Sequence, residues 1–413
     1  MRFFLLPLTL LLTIVSSAQE KELPEQEYLR LEQEARADMN GDTELAFELS
    51  DKIALSTNPR HKASAAGIKS YLYEIWGEPK LSDEQYRLAL KYLAKAPDSK
   101  EKMRLHSVIL NYGGLIQSGR DELSEAYKMY EEGRAISEEL NDYKQLIKFL
   151  NNMSRLSVAT KNYKSALTTL KTSDSLLMLN ADSYSLEQFR RAKATVNNEL
   201  GWCFDRYGIQ KDDHALIDSA ITHYRIAINY ADDQKIIRIS SRINIAILMA
   251  YKGEFEAAEK RYFDLIKVCE ENEIPAFKSN IEFNLGVLYF RQEKYAEAKP
   301  FFEKVLLFYK DYEWKTNEYI YTHYYLAVVQ EALGDYEKAE EYLDLFLVDF
   351  EPLAEASAEE VREFNFMLGR QNLKEEISEL QSRISWHRTL RYIYVGGAIC
   401  LIIIIFFLIR KNI

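Results

Sequence analysis

The side chains that could hold a metal ion or attack a substrate are few and scattered in this chain. No two of the six histidines lie four residues apart, the spacing that would place two metal ligands on one helix face. No glycine-rich loop of the phosphate-binding kind precedes a predicted helix. The acidic residues alternate with lysines, as in "EKAEEYL", which is typical of a solvated helix surface. The sequence therefore predicts no catalytic residue, no metal site and no cofactor, and we expect the protein not to be an enzyme.

Charge and cysteine content narrow the class of partner and the source of stability. The net charge of −11 argues against nucleic acid, which requires clustered Lys and Arg to replace phosphate counterions. The three cysteines are Cys203, Cys269 and Cys400, so no even-numbered disulfide framework exists. A bridge between Cys203 and Cys269 is the minority alternative to two small core thiols. The fold is expected to depend on packing alone.

The strongest internal signal is a repeated pattern of small and aromatic residues. The stretch "FNLGVLYFRQEKYAEAKPFFEKVLLFY" begins at Phe283 and places Gly286 before Ala298 and Phe302. A small residue at 286 lets a second helix approach closely, Ala298 receives that helix, and the aromatic rings fill the space between. Equivalent small residues recur 40 to 47 positions apart, at Gly114, Ser154, Gly201, Ala246, Gly286 and Ala327.

This pattern resembles the tetratricopeptide repeat family over roughly residues 25–352. Two further helix pairs, near 25–57 and 60–96, are predicted from helical patterning. The period exceeds the family's usual length of about 34 residues, which predicts helices about one turn longer. The fold class is therefore predicted as all-α, a right-handed tetratricopeptide-like α-solenoid of about eight helix pairs.

The resemblance implies a concave groove lined by the first helix of each pair, where a protein or peptide partner would bind. The alternative for each aromatic residue is packing between neighbouring repeats, and for each arginine a solvated helix face. In the family's register, the candidate groove residues are Arg155, Trp202, Arg206, Tyr251, Phe283, Phe290, Arg291 and Tyr324.

The two ends of the chain predict targeting to a membrane. Residues 1–18 have the charge, apolar core and small residues of a signal peptide, the alternative being an uncleaved anchor. A repeat domain at 19–352 is followed by a linker helix at 353–391. Residues 392–409 are an uncharged run long enough to span a bilayer, and 410–413 form a cytoplasmic tail.

The linker helix has two open interpretations. Leu373, Ile377, Leu380 and Ile384 follow the four, three, four spacing of a coiled-coil seam, which would allow a homodimer through residues 359–397. The same residues would equally suit a capping helix that lies on the last repeat.

Together these features resemble the extracytoplasmic part of Bacteroidetes-type tetratricopeptide sensor proteins, without an output domain. The resemblance implies a single-pass protein of the bacterial inner membrane whose repeats face the periplasm. The first hypothesis is a scaffold that binds another protein. The second is a receptor or sensor subunit that signals through a separate membrane partner carrying the output domain.

Overall fold

The computed structural model describes residues 22–39, 41–232, 234–310, 316–356 and 370–411. Within the helices, the side chains of 351–356, 370–376 and 398–411 lie outside that description. All regular elements in the described ranges are helical, so the predicted all-α class is confirmed. The predicted signal peptide at 1–18 lies outside the described residues.

In the part of the chain that the structure describes, sixteen α-helices form eight pairs and one further helix follows them. In chain order they are α1 (Glu25–Asp38), α2 (Thr43–Ala54), α3 (Pro59–Ile75), α4 (Pro79–Lys95), α5 (Lys100–Gly119), α6 (Leu123–Glu139), α7 (Tyr143–Ala159), α8 (Tyr163–Leu179), α9 (Leu186–Lys211), α10 (His214–Tyr230), α11 (Lys235–Tyr251), α12 (Phe255–Glu271), α13 (Pro275–Arg291), α14 (Tyr295–Tyr309), α15 (Asn317–Ala332), α16 (Tyr336–Ala356) and α17 (Arg370–Lys411).

The chain divides into two compact units, Met1–Leu146 and Ile147–Ile413. In the first unit, Tyr28, Leu31 and Ile68 belong to one buried cluster and Ala89 and Ile109 to another. In the second unit, buried clusters form between the paired helices from α7 to α16. The candidate groove residues all belong to the second unit.

Helix length explains the unusual period of the repeat. From Lys235 the chain runs through a 17-residue helix, a three-residue turn, a second 17-residue helix and a second three-residue turn before α13 begins at Pro275. The period is therefore 40 residues. Three-residue turns cannot hold the excess over the family's length of about 34, so the extra residues lie in the helices, as predicted.

The turn that joins the two helices of a pair depends on one residue in the left-handed region. Gly253 and Gly334 occupy this position with φ of 82° and 85°, and Glu293 occupies it in α13–α14 with φ of 58°. After Glu293, the Lys294 N–H donates to the Tyr289 carbonyl at 3.0 Å, which satisfies a helix-terminal acceptor. The turn thus fixes the direction in which the second helix returns.

Close contact between paired helices occurs where the repeat pattern predicts it. A Cβ atom built on Gly286 would lie 2.6 Å from the Phe302 ring, and one on Gly201 would lie 2.7 Å from the Tyr224 ring. Both aromatic rings are fully buried. The interpretation of the small residue as the contact point for the second helix is confirmed.

The helix α17 packs on the last helix pair. Ile377, Leu380 and Ile384 are buried in the same cluster as Tyr324 and Phe346. In the structure these seam residues form the cap on the last repeat, which is the second of the two interpretations, and the homodimer stays a prediction. The side chain of Leu373 and the linker residues 357–369 lie outside the described residues.

The prediction of a membrane-spanning helix falls on the second half of α17. Its backbone is helical through Lys411, and the side chains from 398 onward lie outside the description. Among the residues that the structure describes, no helix has both the length and the apolar character needed to cross a membrane.

Candidate functional site

Six of the eight predicted groove residues remain at least partly accessible, and five of these, all except Phe290, are grouped here on the first helices of the second unit. Arg155 and Arg291 are exposed, whereas Trp202, Arg206 and Tyr251 are half-buried. They come from α7, α9, α11 and α13, so neighbouring repeats contribute to a single set. These five residues are called the arginine–aromatic strip below.

Arg155 in the strip neutralises a buried carboxylate from the next repeat. Its Nε lies 3.2 Å from Oε2 of Glu199, whose side chain is only 9% exposed. Burial raises the pKa of the Glu199 carboxyl, and the Arg155 charge partly opposes that rise. Loss of Arg155 would leave this carboxylate buried without its counter-charge, so Arg155 has a structural role as well as an exposed position.

Trp202 and Arg206 lie one helical turn apart on α9 and interact with each other. The Arg206 guanidinium carbon is 6.0 Å from the centre of the Trp202 ring, within the range of a cation–π contact. Beside them, Asp205 is buried and accepts a hydrogen bond from the Tyr224 hydroxyl at 3.2 Å. Burial raises the pKa of Asp205 to about 6, while Arg206 favours the charged form.

Tyr251 and Arg291 extend the strip onto α11 and α13. The Tyr251 hydroxyl donates a 2.7 Å hydrogen bond to Asp212, the residue that ends α9 in a left-handed conformation. Burial and this hydrogen bond raise the pKa of Tyr251, and the nearby Arg291 charge opposes them. Within the described residues, Arg291 forms no hydrogen bond or ion pair, so its donors remain open to a ligand.

The other three predicted groove residues serve the core. Phe283 and Tyr324 are 3% and 5% exposed, so a partner could not contact their rings in this structure. Phe290 is half-buried and lies edge-on to Tyr325, with ring centres 5.0 Å apart. At Phe283 and Tyr324 the structure matches the alternative of packing between neighbouring repeats, since both rings belong to one buried cluster, while the groove as a whole stays a prediction.

Sequence reasoning missed the polar contacts that join neighbouring first helices. The Ser241 hydroxyl donates to Asn198 at 2.9 Å, and the Asn280 amide donates to Glu318 at 3.0 Å. Glu199 was also missed as a buried acid. A signal was present, since Glu199 immediately precedes the Leu-Gly pair at a position that faces the adjacent repeat.

The described residues show no arrangement suited to metal or thiol chemistry. No group of three or more His, Cys, Asp or Glu side chains in this part of the chain could hold a metal ion. Cys203 and Cys269 are free and buried, so the alternative of a disulfide between them is wrong. The strip offers guanidinium donors, one indole and one phenol, a combination suited to recognition of a polypeptide.

Comparison with known proteins supports the repeat assignment. Residues 278–344 match the family model described as "Tetratricopeptide repeat". The α13–α16 region therefore consists of tetratricopeptide repeats. A search of curated protein sequences finds no significant match.

Solved structures show the same fold over most of the chain. A Rap protein complexed with Competence and Sporulation Factor has a TM-score of 0.55 at 14% identity, covering 88% of this chain and 99% of that one. The apo form of RapI has a TM-score of 0.53 at 15% identity, covering 87% of this chain and 98% of that one. A STAND protein with a tetratricopeptide repeat sensor from Pyrococcus horikoshii has a TM-score of 0.53 at 15% identity, covering 81% of this chain and 48% of that one. At these identities the similarity concerns the fold alone.

Proposed function

We propose that this protein is a membrane-anchored, extracytoplasmic scaffold that binds an extended segment of a partner protein along the arginine–aromatic strip. The observation that carries the proposal is the open guanidinium of Arg291 beside Tyr251, on a face that Trp202 and Arg206 continue. Arg, Trp and Tyr are the residue types that most often dominate protein interfaces. The unpaired charge of Arg291 would favour an acidic side chain at that point of the partner segment.

The fold supports a binding role of this kind. Stacked helix pairs present a continuous surface, and the structurally similar Rap protein was solved in complex with Competence and Sporulation Factor. In this proposal the protein has no enzymatic activity. The strip positions donors and aromatic faces, and its carboxylates Glu199 and Asp205 lie buried beneath or beside arginines rather than facing an open cleft.

Anchoring and location are proposed from the sequence. The apolar run at 392–409 and the signal-like residues 1–18 would place the repeats outside the cytoplasm, in the periplasm of a bacterial cell. The unbroken helix α17 would join the last repeat to this run.

The receptor-subunit alternative would require α17 to associate with another membrane helix. Burial of Ile377, Leu380 and Ile384 against the last repeat favours the scaffold over self-association through that seam. A receptor would then have to pair through residues beyond Ile384, such as the exposed Tyr392 and Tyr394.

Site-specific photocrosslinking in intact membranes tests the proposal. A photoreactive phenylalanine analogue replaces Trp202 or Tyr251 in turn, and crosslinked proteins are identified by mass spectrometry. Phe263, a partly exposed aromatic residue on the second helix α12, provides the matched control position. We expect the same partner at Trp202 and Tyr251, and loss of its crosslink in the Arg291→Glu variant. Equal crosslinking at Phe263, or no effect of Arg291→Glu, would refute binding along the strip.

Crosslinks at Tyr392 to a protein with a cytoplasmic output domain, without crosslinks at Trp202 or Tyr251, would instead support the receptor-subunit alternative.

A further inference from the structure

A cavity of about 340 Å³ lies on the helix pair α11–α12, apart from the arginine–aromatic strip. Its lining consists of Arg242, Met249, Ala257, Lys260, Arg261, Asp264 and Leu265. Three of these side chains are cationic and one is acidic, so the lining carries a net charge of about +2 at neutral pH. Such a positive concentration contrasts with the acidic balance of the whole chain.

The cations around this cavity lack partners among the described residues. Arg242, Lys260 and Arg261 form no hydrogen bond or ion pair there. Asp264 is three residues from Arg261 on α12, a spacing that allows an ion pair, yet no such pair forms. The cavity thus gathers three cations around one carboxylate that pairs with none of them, and the excess positive charge favours a bound anion.

Neighbouring helix pairs satisfy the residue that corresponds to Arg242. This residue lies four positions before the small contact residue of the first helix. In α9–α10 it is Asn197, which contacts His223 of α10 at 3.0 Å. In α13–α14 it is Glu282, which pairs with Lys304 of α14 at 3.9 Å. In α11–α12 the same position holds Arg242, and α12 presents Lys260 and Arg261 to the shared cavity. Among these three pairs, only α11–α12 has a cation at this position of the first helix.

We propose that this cavity binds a small molecule that carries a phosphate monoester. A phosphate monoester has a charge of about −1.5 to −2 at pH 7 and three acceptor oxygens, which matches the charge and the donors of Arg242, Lys260 and Arg261. Met249 and Leu265 provide an apolar wall for the organic part of the ligand. The volume lies at the lower end of the range for small-molecule sites.

Calorimetric titration of the intact protein in mild detergent tests this proposal. The probes are inorganic phosphate, phenyl phosphate and acetate at constant ionic strength. We expect saturable binding of phenyl phosphate, weaker binding of inorganic phosphate because it lacks an apolar part, and none of acetate because it carries one charge.

Variants identify the cavity as the site. Lys260→Gln and Arg261→Gln alter exposed residues and should leave folding intact, while each should weaken phenyl phosphate binding by about tenfold through loss of a charged hydrogen bond. Lys267→Gln, an equal charge change at an exposed position of α12 outside the cavity lining, is the matched control. Absence of saturable binding would overturn the proposal, as would equal weakening by all three substitutions. Equal affinity for acetate would overturn the assignment to a phosphate ester.

Discussion

The contact between Gly286 and Phe302 gives the most quantitative test of the repeat geometry. In a Gly286→Ala variant, the new Cβ would lie 2.6 to 2.8 Å from three atoms of the Phe302 ring, where ordinary carbon contacts are about 3.5 to 4.0 Å. The ring cannot retreat freely, because it stacks on Tyr325 at 5.1 Å and meets the edge of Phe283 at 6.1 Å. Relief therefore requires the paired helices to separate by about 1 Å.

Two opposing contributions determine how much Gly286→Ala should change the free energy of unfolding. Overpacking of a core usually costs about 1–3 kcal/mol, whereas replacing a helical glycine by alanine gains about 1 kcal/mol. We expect a net decrease of about 1 kcal/mol in the free energy of unfolding. Gly119→Ala is the control, since its Cβ would meet nothing within 4 Å. Because Gly119 is the last residue of α5 and not an interior one, this change should stabilise by less than the full gain, about a few tenths of a kcal/mol.

Amide hydrogen exchange of the intact protein measures both effects. Gly286→Ala should accelerate exchange in α13 and α14, and Gly119→Ala should slow exchange in α5 or leave it unchanged. Adding Phe302→Leu should remove most of the penalty of Gly286→Ala, because a smaller side chain clears the new methyl group. If Gly286→Ala proved as stable as Gly119→Ala, the reasoning from ring contact would be refuted.

Three further predictions follow from burial and backbone geometry. Because burial raises the pKa of Asp205 to about 6, its protonated form favours folding: this contribution is complete below about pH 4 and is lost as the pH rises through 6. Asp205→Asn should therefore reduce the change of unfolding free energy with pH between pH 4 and 7, as measured by urea unfolding. At pH 8 it should raise the unfolding free energy by up to about 3 kcal/mol. An unchanged dependence on pH would contradict this. Glu293→Gly should raise the unfolding free energy by about 1 kcal/mol in the same assay, since glycine accepts a φ of 58° without strain; a decrease would show that the side chain stabilises the turn. Burial raises the pKa of Cys203 to about 12 and also raises that of Cys269. Mass spectrometry should therefore find neither of these thiols alkylated by iodoacetamide at pH 8 in the folded protein. Alkylation of either one before unfolding would contradict the packing seen here.

The helix pairs could be predicted from the sequence because close packing restricts which residue types can lie where two helices meet. A small residue at 201 or 286 and an aromatic residue on the following helix are needed together, and the structure shows them in contact. The roles of individual groove residues were harder to predict. Phe283 and Arg291 are both on α13, yet one is buried and the other exposed, because a small change in helix rotation decides which side faces the next repeat.

Contacts between charged and polar residues were the least predictable. Glu199 and Arg155 are 44 positions apart in sequence, and although the Leu-Gly pair marks Glu199 as facing the adjacent repeat, nothing identifies Arg155 as its partner. The same holds for Arg242 and Arg261, whose shared cavity depends on how α11 and α12 cross. The seam of α17 was correctly recognised as apolar, but its spacing suited both a coiled coil and the cap that forms.

The cap formed by α17 fixes the orientation of the last repeat about the axis of this helix. His387 stacks on Tyr336 and Arg388 pairs with Glu340, and the same helix continues without a break to Lys411. Only about 6 Å of helix separates Arg388 from Tyr392, where the proposed span begins. Each residue of an α-helix turns the chain by about 100°, so an alanine inserted between 388 and 392 would rotate the repeats about the helix axis without altering a packed contact. If the proposed span anchors the protein, the number of residues in this short segment would set the direction in which the arginine–aromatic strip faces along the membrane surface.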